Sequence, residues 1–334
     1  MLRRKLGAHG PEVSAIGVGA MSFANFYGPT NEAESHAILD AALEAGVDHI
    51  DTSNVYGMGQ SEEAIGRYLA RYRGKGGLPF QIATKGGITR TKGPGGSFFN
   101  NAPEHLEAEL DKSLKRLGVE QVTLYYVHRR EPDRPIEEVT ETMAALVAKG
   151  KIAHIGFSEI APTSLTRAAA IHPIAAVQSE YSLQTRQPEL GLVQACERLG
   201  TALVAFSPVG RGLLTDTPPT PESVALSGFL KANPRFQPDT LPRNIAASEA
   251  LREIARDLGA PAAAVALAWL FTRSPTVHAI PGTRSTAHFA EIVAGGSLNL
   301  TPETLADIDR RLPPGWTHGA RYNSAQATGP EHYC

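Results

Sequence analysis

Short apolar runs alternate with helical patterns along almost the whole chain, which narrows its possible folds to the α/β class. Each run is bounded by glycine, proline or polar residues and is short enough for a strand that is buried on both faces. Eight runs fit this description: Ala15–Gly19, His49–Thr52, Phe80–Thr84, Val122–Val127, Ile152–Phe157, Ala175–Gln178, Ala202–Phe206 and Val277–Ile280. Because strands separated by helices pair in parallel through right-handed crossovers, the pattern predicts eight consecutive β/α units.

The segments between these runs carry the signals that begin and end helices. Asn31 followed by Glu34, and Asn101 followed by Glu104, each have the spacing of a capping box and predict a helix start. Other helices are predicted over residues 61–69, 136–147, 163–170, 190–199 and 247–272, with a break in the last near residue 260. Each predicted helix therefore lies between two predicted strands.

The chain has 334 residues, whereas a (β/α)8 barrel usually takes about 250. A strand–turn–strand pattern over Arg4–Leu6 and Val13–Ile16 predicts an N-terminal β-hairpin cap. Long loops are predicted after the third and seventh strands, over Gly86–Asn100 and Ser207–Asn244, where lids and binding loops are common. A tail over residues 312–334 is expected to contribute to a substrate pocket.

We therefore predict that residues 1–334 form a single domain, an α/β fold of the (β/α)8 TIM-barrel type. The competing topology is an open doubly wound sheet with a dinucleotide-binding fingerprint after its first strand. Gly17 and Gly19 fit that fingerprint, but Ser22 stands where a third Gly or Ala is needed. The barrel is the better interpretation.

The composition argues against several classes of function. A formal net charge of −2 gives no general attraction to nucleic acid or to an anionic membrane. The apolar window 262–270 is too short to span a bilayer, and the first ten residues lack the apolar stretch of a secretory signal. Because two cysteines make no disulfide framework, we expect a cytoplasmic protein without nucleic-acid or membrane partners. The sequence gives no oligomeric state.

Motifs for hydrolytic chemistry are missing from the sequence. It contains no His-Glu-x-x-His, no Cys-x-x-Cys and no Gly-x-Ser-x-Gly. We therefore expect neither a metal site nor a serine nucleophile.

Polar and ionisable residues follow the predicted strands at one shared end. Because parallel strands in a barrel place their carboxyl ends at the same rim, these side chains are expected to meet there. They are Asp51, Tyr56, Lys85, His128, Ser158, Gln178, Ser207, Thr283 and Arg284.

Four of these residues suit the protonation of a carbonyl oxygen during its reduction. The phenol of Tyr56 has an ordinary pKa of about 10 and is a poor acid at neutral pH. An adjacent Lys85 ammonium is expected to lower that pKa, while the Asp51 carboxylate keeps the lysine charged and in place. His128 can donate a hydrogen bond to the carbonyl oxygen. The reductant has to come from elsewhere.

Further segments follow one another along the chain in a characteristic order: Gly17–Met21, Asp51–Gly57, Ile82–Lys85, Tyr125–His128, Ile155–Ser158, Val177–Tyr181, Phe206–Gly212 and Ile280–Arg284. This ordered set resembles the signatures of the aldo-keto reductases and covers roughly residues 5 to 325. The Gly156–Glu159 and Gly319–Tyr322 segments are most similar to a bacterial, yeast and plant branch that includes pyridoxal reductase-like members.

The resemblance implies a (β/α)8 barrel that binds NADPH across its mouth and reduces a small aldehyde or ketone. It implies Tyr56 as the general acid, Lys85 and Asp51 as the pair that lowers its pKa, and His128 as the group that orients the carbonyl. Contacts to the cofactor are implied for Ser158 and Gln178 (nicotinamide carboxamide), Phe206 (ring stacking), Ser207, Gly210 and Gly212 (pyrophosphate), Thr283 and Arg284 (2′-phosphate), and His288 and Glu291 (the adenine end).

The sequence also departs from the family pattern. Glu159 stands where many members have Asn, His288 where Arg or Gln is common, and Ile292 where Asn is common. Arg284 still supplies a planar donor suited to a phosphate dianion. Near the mouth, the cluster of Arg129, Arg130 and Arg134 is interleaved with carboxylates, and we interpret it as a solvated surface.

The substrate pocket is expected to have an apolar and aromatic wall, which suits an aldehyde or ketone with an apolar or aromatic body; sugars and pyridoxal-like rings stay open. Its candidate residues are Met21, Phe23, Phe26, Tyr27, Phe98, Phe99, Trp316 and Tyr322.

Two other functions compete with the reductase. A nicotinamide-binding redox sensor or regulatory subunit would keep the fold and turn over slowly. A lyase or aldolase barrel would use Lys85 to form a Schiff base.

Overall fold

The computed structural model of the chain describes residues 1–89 and 98–333, and these contain ten strands and twelve α-helices. The strands are β1 Arg3–Lys5, β2 Glu12–Ser14, β3 Val18–Gly19, β4 His49–Asp51, β5 Gln81–Gly86, β6 Val122–Val127, β7 Ile152–Ser158, β8 Ile174–Glu180, β9 Ala202–Phe206 and β10 Val277–Ala279. The helices are α1 Glu32–Glu44, α2 Gln60–Leu69, α3 Pro103–Leu117, α4 Ile136–Ala148, α5 Pro162–Ile171, α6 Leu192–Leu199, α7 Pro221–Ala225, α8 Gly228–Lys231, α9 Leu241–Asp257, α10 Ala262–Thr272, α11 Thr286–Ala294 and α12 Pro302–Arg311.

Strands β3 to β10 form one parallel sheet in chain order, and the sheet closes between its first and last strands. The backbone N–H of Gly17 donates to the carbonyl of Ala279 (2.8 Å), and the N–H of Ala279 donates to the carbonyl of Ala15 (2.8 Å). One step further, the N–H of Gly19 donates to the carbonyl of Pro281 (2.9 Å). Helices lie between successive strands, so the predicted (β/α)8 barrel is confirmed.

The N-terminal hairpin covers the amino end of the barrel strands. β1 and β2 pair antiparallel, as predicted, with Arg3 opposite Ser14. Leu6 and Val13 are fully buried and pack in one cluster with residues of the barrel strands. The hairpin does not cover the opposite end of the barrel, where the carboxyl ends of the strands lie and where the sequence predicts the functional site.

The two predicted capping boxes had different outcomes. Asn31 caps α1 as predicted: its side chain accepts a hydrogen bond from the backbone N–H of Glu34 (2.9 Å). The prediction for Asn101 is wrong, because α3 begins at Pro103 with no side-chain cap. Asn101 is buried instead, where its side chain accepts from the N–H of Glu131 (2.7 Å) and fixes the loop after β6. The fixed φ of proline suits the first helical position without a cap.

The long loops contain regular structure that the sequence did not reveal. After β9 the chain forms α7 and α8, and α9 begins at Leu241 rather than at residue 247. After β5 the two ends of the loop pair with each other, since the N–H of Asn100 donates to the carbonyl of Gly87 (2.9 Å). Residues 90–97 of the predicted 86–100 loop, and Cys334 of the predicted tail, lie outside the described residues.

Over residues 1–89 and 98–333, no single helix has the length and apolar character needed to cross a membrane. The pair α9 and α10 meets that test in length and composition together, with a bend of 94° between the two helices.

Two histidines are buried in the barrel strands. His49 in β4 and His278 in β10 are almost fully inaccessible, and neither ring nitrogen of His49 has a hydrogen-bond partner among the described residues. Burial lowers the pKa of each imidazole to about 4. Both are therefore neutral in the folded chain at neutral pH.

We predict that these histidines make the fold sensitive to acid. Each folded-state pKa lies below the unfolded value of about 6.5, so the unfolded chain binds more protons and stability falls as the pH falls from about 6.5 to 4. In His49→Gln the loss of unfolding free energy between pH 7 and pH 4.5, measured by urea unfolding, should shrink by about 2 kcal/mol. The exposed His9→Gln is the matched control. An unchanged pH dependence in His49→Gln would contradict this account.

Candidate active site

The residues predicted to meet at one rim do so because they end neighbouring parallel strands. Asp51 is the last residue of β4, Lys85 lies near the end of β5, and His128 directly follows β6. β4 pairs with β5 and β5 with β6, with Lys85 opposite Tyr126 in the second pair. These side chains lie at the end of the barrel opposite the hairpin.

A left-handed turn returns Tyr56 to the end of β5. Gly57, Met58 and Gly59 have φ values of 57°, 62° and 95°, a region that glycine enters without steric cost. A Cβ at Gly57 would lie 2.9 Å from the Cβ of Ala24, which is too close for an unshifted side chain. The DTSNVYG segment therefore needs glycine at this position for the chain to reverse into α2.

Lys85 is the centre of the contacts among these groups. Its Nζ donates to a carboxylate oxygen of Asp51, to the backbone carbonyl of Thr52 (2.9 Å) and to the phenol oxygen of Tyr56 (3.3 Å). Lys85 has no exposed surface and Asp51 is 1% exposed. The second carboxylate oxygen of Asp51 accepts from Nε2 of Gln178 (2.8 Å). A buried ammonium with three acceptors thus links the aspartate to the tyrosine.

Burial changes the ionisation of this group. Burial lowers the pKa of Lys85, but Asp51 and Tyr56 raise it by more, so the amine stays protonated. Burial raises the pKa of Tyr56 above its ordinary value, and the ammonium of Lys85 acts in the opposite direction by a smaller amount. The predicted net lowering of the Tyr56 pKa is therefore wrong, although the sign of the Lys85 effect is as predicted. Tyr56 is neutral and carries its proton at pH 7.

His128 lies beside the tyrosine with one ring nitrogen engaged. Its Nδ1 is 3.1 Å from Oγ of Ser53, and its ring meets that of Tyr56 edge to face with centroids 6.0 Å apart. Burial, and then the charges of Arg129 and Lys85, lower the pKa of His128 well below its ordinary value. The imidazole is therefore neutral. The contact between His128 and Ser53 was not predicted from the sequence.

A cavity of about 1090 Å³ opens above these residues. Twelve of the fourteen predicted site residues line it: Asp51, Tyr56, His128, Ser158, Gln178, Phe206, Ser207, Gly212, Thr283, Arg284, His288 and Glu291. Lys85 lies beneath Tyr56 and outside the wall. Gly210 also lies outside it, in the core of the loop, where a Cβ would be 2.8 Å from Oε1 of Gln184.

The near end of the cavity, beside Tyr56, combines amide, hydroxyl and aromatic groups. Ser158 ends β7, and its Oγ accepts from Nη1 of Arg129 (3.0 Å). Gln178 lies in β8 and holds Asp51, while Phe206 ends β9 and is partly exposed to the cavity. A polar edge and a ring face are thus available close to the tyrosine.

The far end of the cavity lies at the start of α11. Ser285 caps this helix by accepting from the N–H of His288 (3.3 Å). Arg284 is exposed and donates to the carbonyl of Pro29, with no carboxylate in ion-pair contact among the described residues. A cation and a helix amino end therefore face this part of the cavity, an arrangement that favours anions.

The apolar wall agrees with the predicted pocket at most positions. Met21, Phe26, Tyr27, Phe98, Phe99 and Tyr322 line the cavity. Two residues were assigned wrongly. Phe23 is 2% exposed and belongs to the main core, and Trp316 packs away from the cavity, with its Nε1 donating to the carbonyl of Leu183 (2.8 Å).

The arginines after His128 are not the solvated surface that the sequence suggested. Arg129 is half-buried and lines the cavity, and Arg130 pairs with Glu331 of the tail (2.9 Å). The error has a physical cause: the tail and the end of β7 cover these side chains, and neither is close in sequence.

Glu159, which departs from the family pattern, faces away from the large cavity. Its carboxylate accepts from the N–H of Glu180 (2.8 Å) and from Arg321 of the tail (2.6 Å). It lines a smaller cavity of about 230 Å³ between the tail and the ends of β7 and β8. In this chain the residue fastens the tail to the barrel.

The geometry of the site bears on two other kinds of chemistry, a metal centre and a Schiff base on Lys85. Within the described ranges, no group of three or more His, Cys, Asp or Glu residues is arranged to hold a metal ion. Lys85 is protonated, fully buried and outside the cavity wall. The Schiff-base hypothesis needs a neutral, accessible amine, so the structure argues against it.

Sequence comparison identifies relatives over nearly the whole chain. The model of the aldo/keto reductase family matches residues 15–312. The aldo-keto reductase yakc [NADP(+)] of Schizosaccharomyces pombe is 34% identical over 322 residues, which is 96% of this chain and 94% of that protein. Probable aldo-keto reductase 1 of Glycine max is 36% identical over 322 residues, 95% of this chain and 91% of that protein.

Solved structures give the same result for the fold. The glycerol dehydrogenase AKR11B4 from Gluconobacter oxydans superposes with a TM-score of 0.78 and 26% identity, covering 94% of this chain and 96% of that one. The thermostable aldo-keto reductase Tm1743, solved with the inhibitor epalrestat, gives a TM-score of 0.73 and 28% identity over 93% and 100% of the two chains.

The pairing of Lys85 with Asp51 makes a prediction about stability. Lys85→Met leaves the Asp51 carboxylate buried without its cation, and such a loss costs about 3–5 kcal/mol. We expect urea unfolding at pH 7 to show a decrease of that size. The double variant Asp51→Asn/Lys85→Met removes both charges and should be more stable than Lys85→Met alone. Asp51→Asn alone completes the comparison: if the losses of unfolding free energy in the two single variants add up to the loss in the double variant, the groups do not interact.

Proposed function

This chain belongs to the aldo/keto reductase family, and on that premise we propose that it reduces a small aldehyde or ketone to the alcohol with NADPH. The observation that carries the proposal is the contact of one buried ammonium with both a carboxylate and a phenol in the floor of the large cavity. That arrangement suits a proton donor whose conjugate base needs stabilising.

In the proposed reaction Tyr56 is the general acid. Its raised pKa keeps the hydroxyl protonated until negative charge develops on the carbonyl oxygen. As the proton moves from the phenol oxygen to the carbonyl oxygen, the phenolate that forms faces the Lys85 ammonium 3.3 Å away. Asp51 keeps Lys85 charged and in position. The negative charge that the departing proton leaves on the phenol oxygen is thus stabilised by the Lys85 ammonium.

His128 is proposed to orient the carbonyl. Because the imidazole is neutral, it has one ring N–H to donate. If the Ser53 hydroxyl donates to Nδ1, the proton lies on Nε2 and is free to bond the carbonyl oxygen. The two donors, Tyr56 and His128, then bind the same oxygen and fix the carbonyl carbon in the cavity.

The residues present fit NADPH. When bound, NADPH supplies the hydride that reduces the carbonyl carbon. Ser158 and Gln178 are proposed to bind the nicotinamide carboxamide, and Phe206 to stack on the ring. Ser207 and Gly212 lie in the cavity wall between the two ends, where the pyrophosphate would pass, with Gly210 supporting that loop from behind.

The cation at the far end supports NADPH over NADH. Arg284 and Thr283 are proposed to bind the 2′-phosphate, next to the amino end of α11, and His288 and Glu291 to contact the adenine. The name of the fission yeast relative includes NADP(+), which supports the same choice.

The proposed substrates are aldehydes and ketones with an apolar or aromatic body, since aromatic side chains line the cavity above Tyr56. A contribution of the 312–334 tail to this pocket is supported by Tyr322 in the wall. A cytoplasmic location and the single-domain organisation stay predictions.

The redox-sensor alternative is not favoured, because the matched relatives are named as reductases or dehydrogenases. Single-turnover kinetics separate the two functions: a sensor oxidises one NADPH per protein without steady turnover, whereas a reductase continues.

Replacing the general acid tests the mechanism directly. Tyr56→Phe removes the proton donor and should lower kcat for aldehyde reduction by about 10²–10⁴-fold. NADPH affinity, measured by quenching of intrinsic fluorescence, should change little. Tyr72→Phe, which lies outside the cavity, is the matched control. Wild-type turnover by Tyr56→Phe would remove the tyrosine from the mechanism.

Replacing the far-end cation tests the cofactor preference. Arg284→Gln should weaken NADPH binding by about 10–100-fold, because a charge-assisted bond to phosphate is lost. NADH binding should be nearly unaffected, so the ratio of the two dissociation constants is the measurement. Arg310→Gln on α12 is the control. An equal effect on both cofactors would place Arg284 away from the 2′-phosphate.

A further inference from the structure

The cavity wall next to His128 has more arginine charge than the neighbouring carboxylates neutralise. Four arginines lie around Tyr322, and we name them the arginine cluster: Arg129, Arg211, Arg235 and Arg321. The carboxylates that pair with the cluster in the described part of the chain are Glu159 and Glu180. Four cations therefore share two anions.

Three members of the cluster form ion pairs with these two carboxylates. Glu180 accepts from Arg211 (2.7 Å) and Arg235 (3.2 Å), and Glu159 accepts from Arg321 (2.6 Å). Across residues 1–89 and 98–333, no carboxylate lies in ion-pair contact with Arg129. Of the two excess positive charges, one is shared by Arg211 and Arg235, and the other lies on Arg129, the arginine that borders His128.

The hydrogen bonds of Arg129 leave one edge of its guanidinium for a ligand. Nη1 donates to the carbonyl of His128 (2.7 Å) and to Oγ of Ser158 (3.0 Å), which uses both of its hydrogens. The Nε and Nη2 groups have no acceptor among the described residues. This is the edge with which arginine binds a carboxylate through two parallel hydrogen bonds.

Arg129 is also close to the proposed reacting groups. It lines the same cavity as Tyr56 and His128. Its charge favours a lower pKa for Tyr56, His128 and Tyr322, but burial is the larger influence on each and raises the pKa of the two tyrosines. A second cluster member, Arg211, lines the cavity with a buried Nε that has no partner in the described residues. Two buried or half-buried guanidinium groups thus border the space where the substrate would bind.

We propose that Arg129 binds a carboxylate of the substrate, so that the preferred substrates are aldehydes or ketones that also carry an acid group. This rests on the proposed reductase function and names its substrate class. Phe26 and Phe99, also in the wall, contact the apolar part between the carbonyl and the acid. The carboxylate supplies the anion that the arginine cluster lacks.

The test compares an acid with its neutral ester. 3-Carboxybenzaldehyde and 4-carboxybenzaldehyde are assayed with NADPH against their methyl esters, and the ratio of kcat/KM for acid over ester is the measured quantity. Since hydrogen bonds to charged groups change affinity by about tenfold or more, we expect at least one acid to exceed its ester by about that factor in the wild type. The difference should lie in KM, because the carboxylate is held before and during reaction.

Variants of Arg129 test whether this residue causes the preference for the acid over the ester. Arg129→Gln should bring the ratio close to one, and Arg129→Lys, which keeps the charge, should restore part of it. Arg134→Gln is the matched control and should keep the wild-type ratio, because Arg134 is a partly buried arginine of the same loop that pairs with Glu131 (3.1 Å) and does not line the cavity. The proposal is overturned if the wild type shows no preference for either acid, or if Arg129→Gln keeps the preference. An Arg129→Gln that weakens NADPH binding and leaves the ratio unchanged would also overturn it, and would make Arg129 a positioning residue for Ser158.

Binding separates this proposal from the proposed function. If the wild type reduces neither the acids nor the esters, the reductase function fails, and the site is then tested by calorimetry with sodium benzoate and with neutral benzamide. Benzoate binding that exceeds benzamide binding, and that Arg129→Gln weakens about tenfold, would uphold the anion site without the reaction. Equal or absent binding of both would reject it.

Discussion

A lysine ammonium in the interior of a closed barrel requires a carboxylate beside it, and the site is arranged around this requirement. Without Asp51, burial would favour the neutral amine of Lys85, which has no charge to offer a phenolate. The β4–β5 register places Asp51 opposite Ala83, so Lys85 follows two residues later on the same face. The β4–β5 register therefore fixes the pair, and the charge that Asp51 maintains on Lys85 opposes the effect of burial on the pKa of Tyr56.

Features that depend on strand order were predictable from the sequence. An apolar strand that ends in a polar residue, as β4 does at Asp51 and β5 near Lys85, places that residue at the carboxyl rim once the strands are parallel. The same reasoning predicted His128 and Gln178, and the cavity wall contains both. This prediction does not depend on how the helices pack, because the carboxyl ends of neighbouring parallel strands lie at the same rim of the barrel.

Features that depend on contacts between distant segments were not predictable. Arg129 and Glu159 are charged residues in loops, and such residues are usually solvated. Here the tail covers them: Arg321 pairs with Glu159 although the two are far apart in sequence. Asn101 is a similar case, because its helix-capping pattern competes with a buried position that binds the backbone after β6. Local propensity cannot report a partner that only the folded tail or a second loop supplies.

Residues 51–53 connect Tyr56, the proposed proton donor, to His128, which is proposed to orient the carbonyl. Asp51 holds the Lys85 ammonium, the backbone carbonyl of Thr52 accepts from the same ammonium, and Ser53 bonds the imidazole of His128. A shift in this backbone would therefore move the lysine and the imidazole contacts together. The distance between Tyr56 and His128, the two groups proposed to bind the carbonyl oxygen, therefore depends on the same stretch of main chain through Lys85 and Ser53.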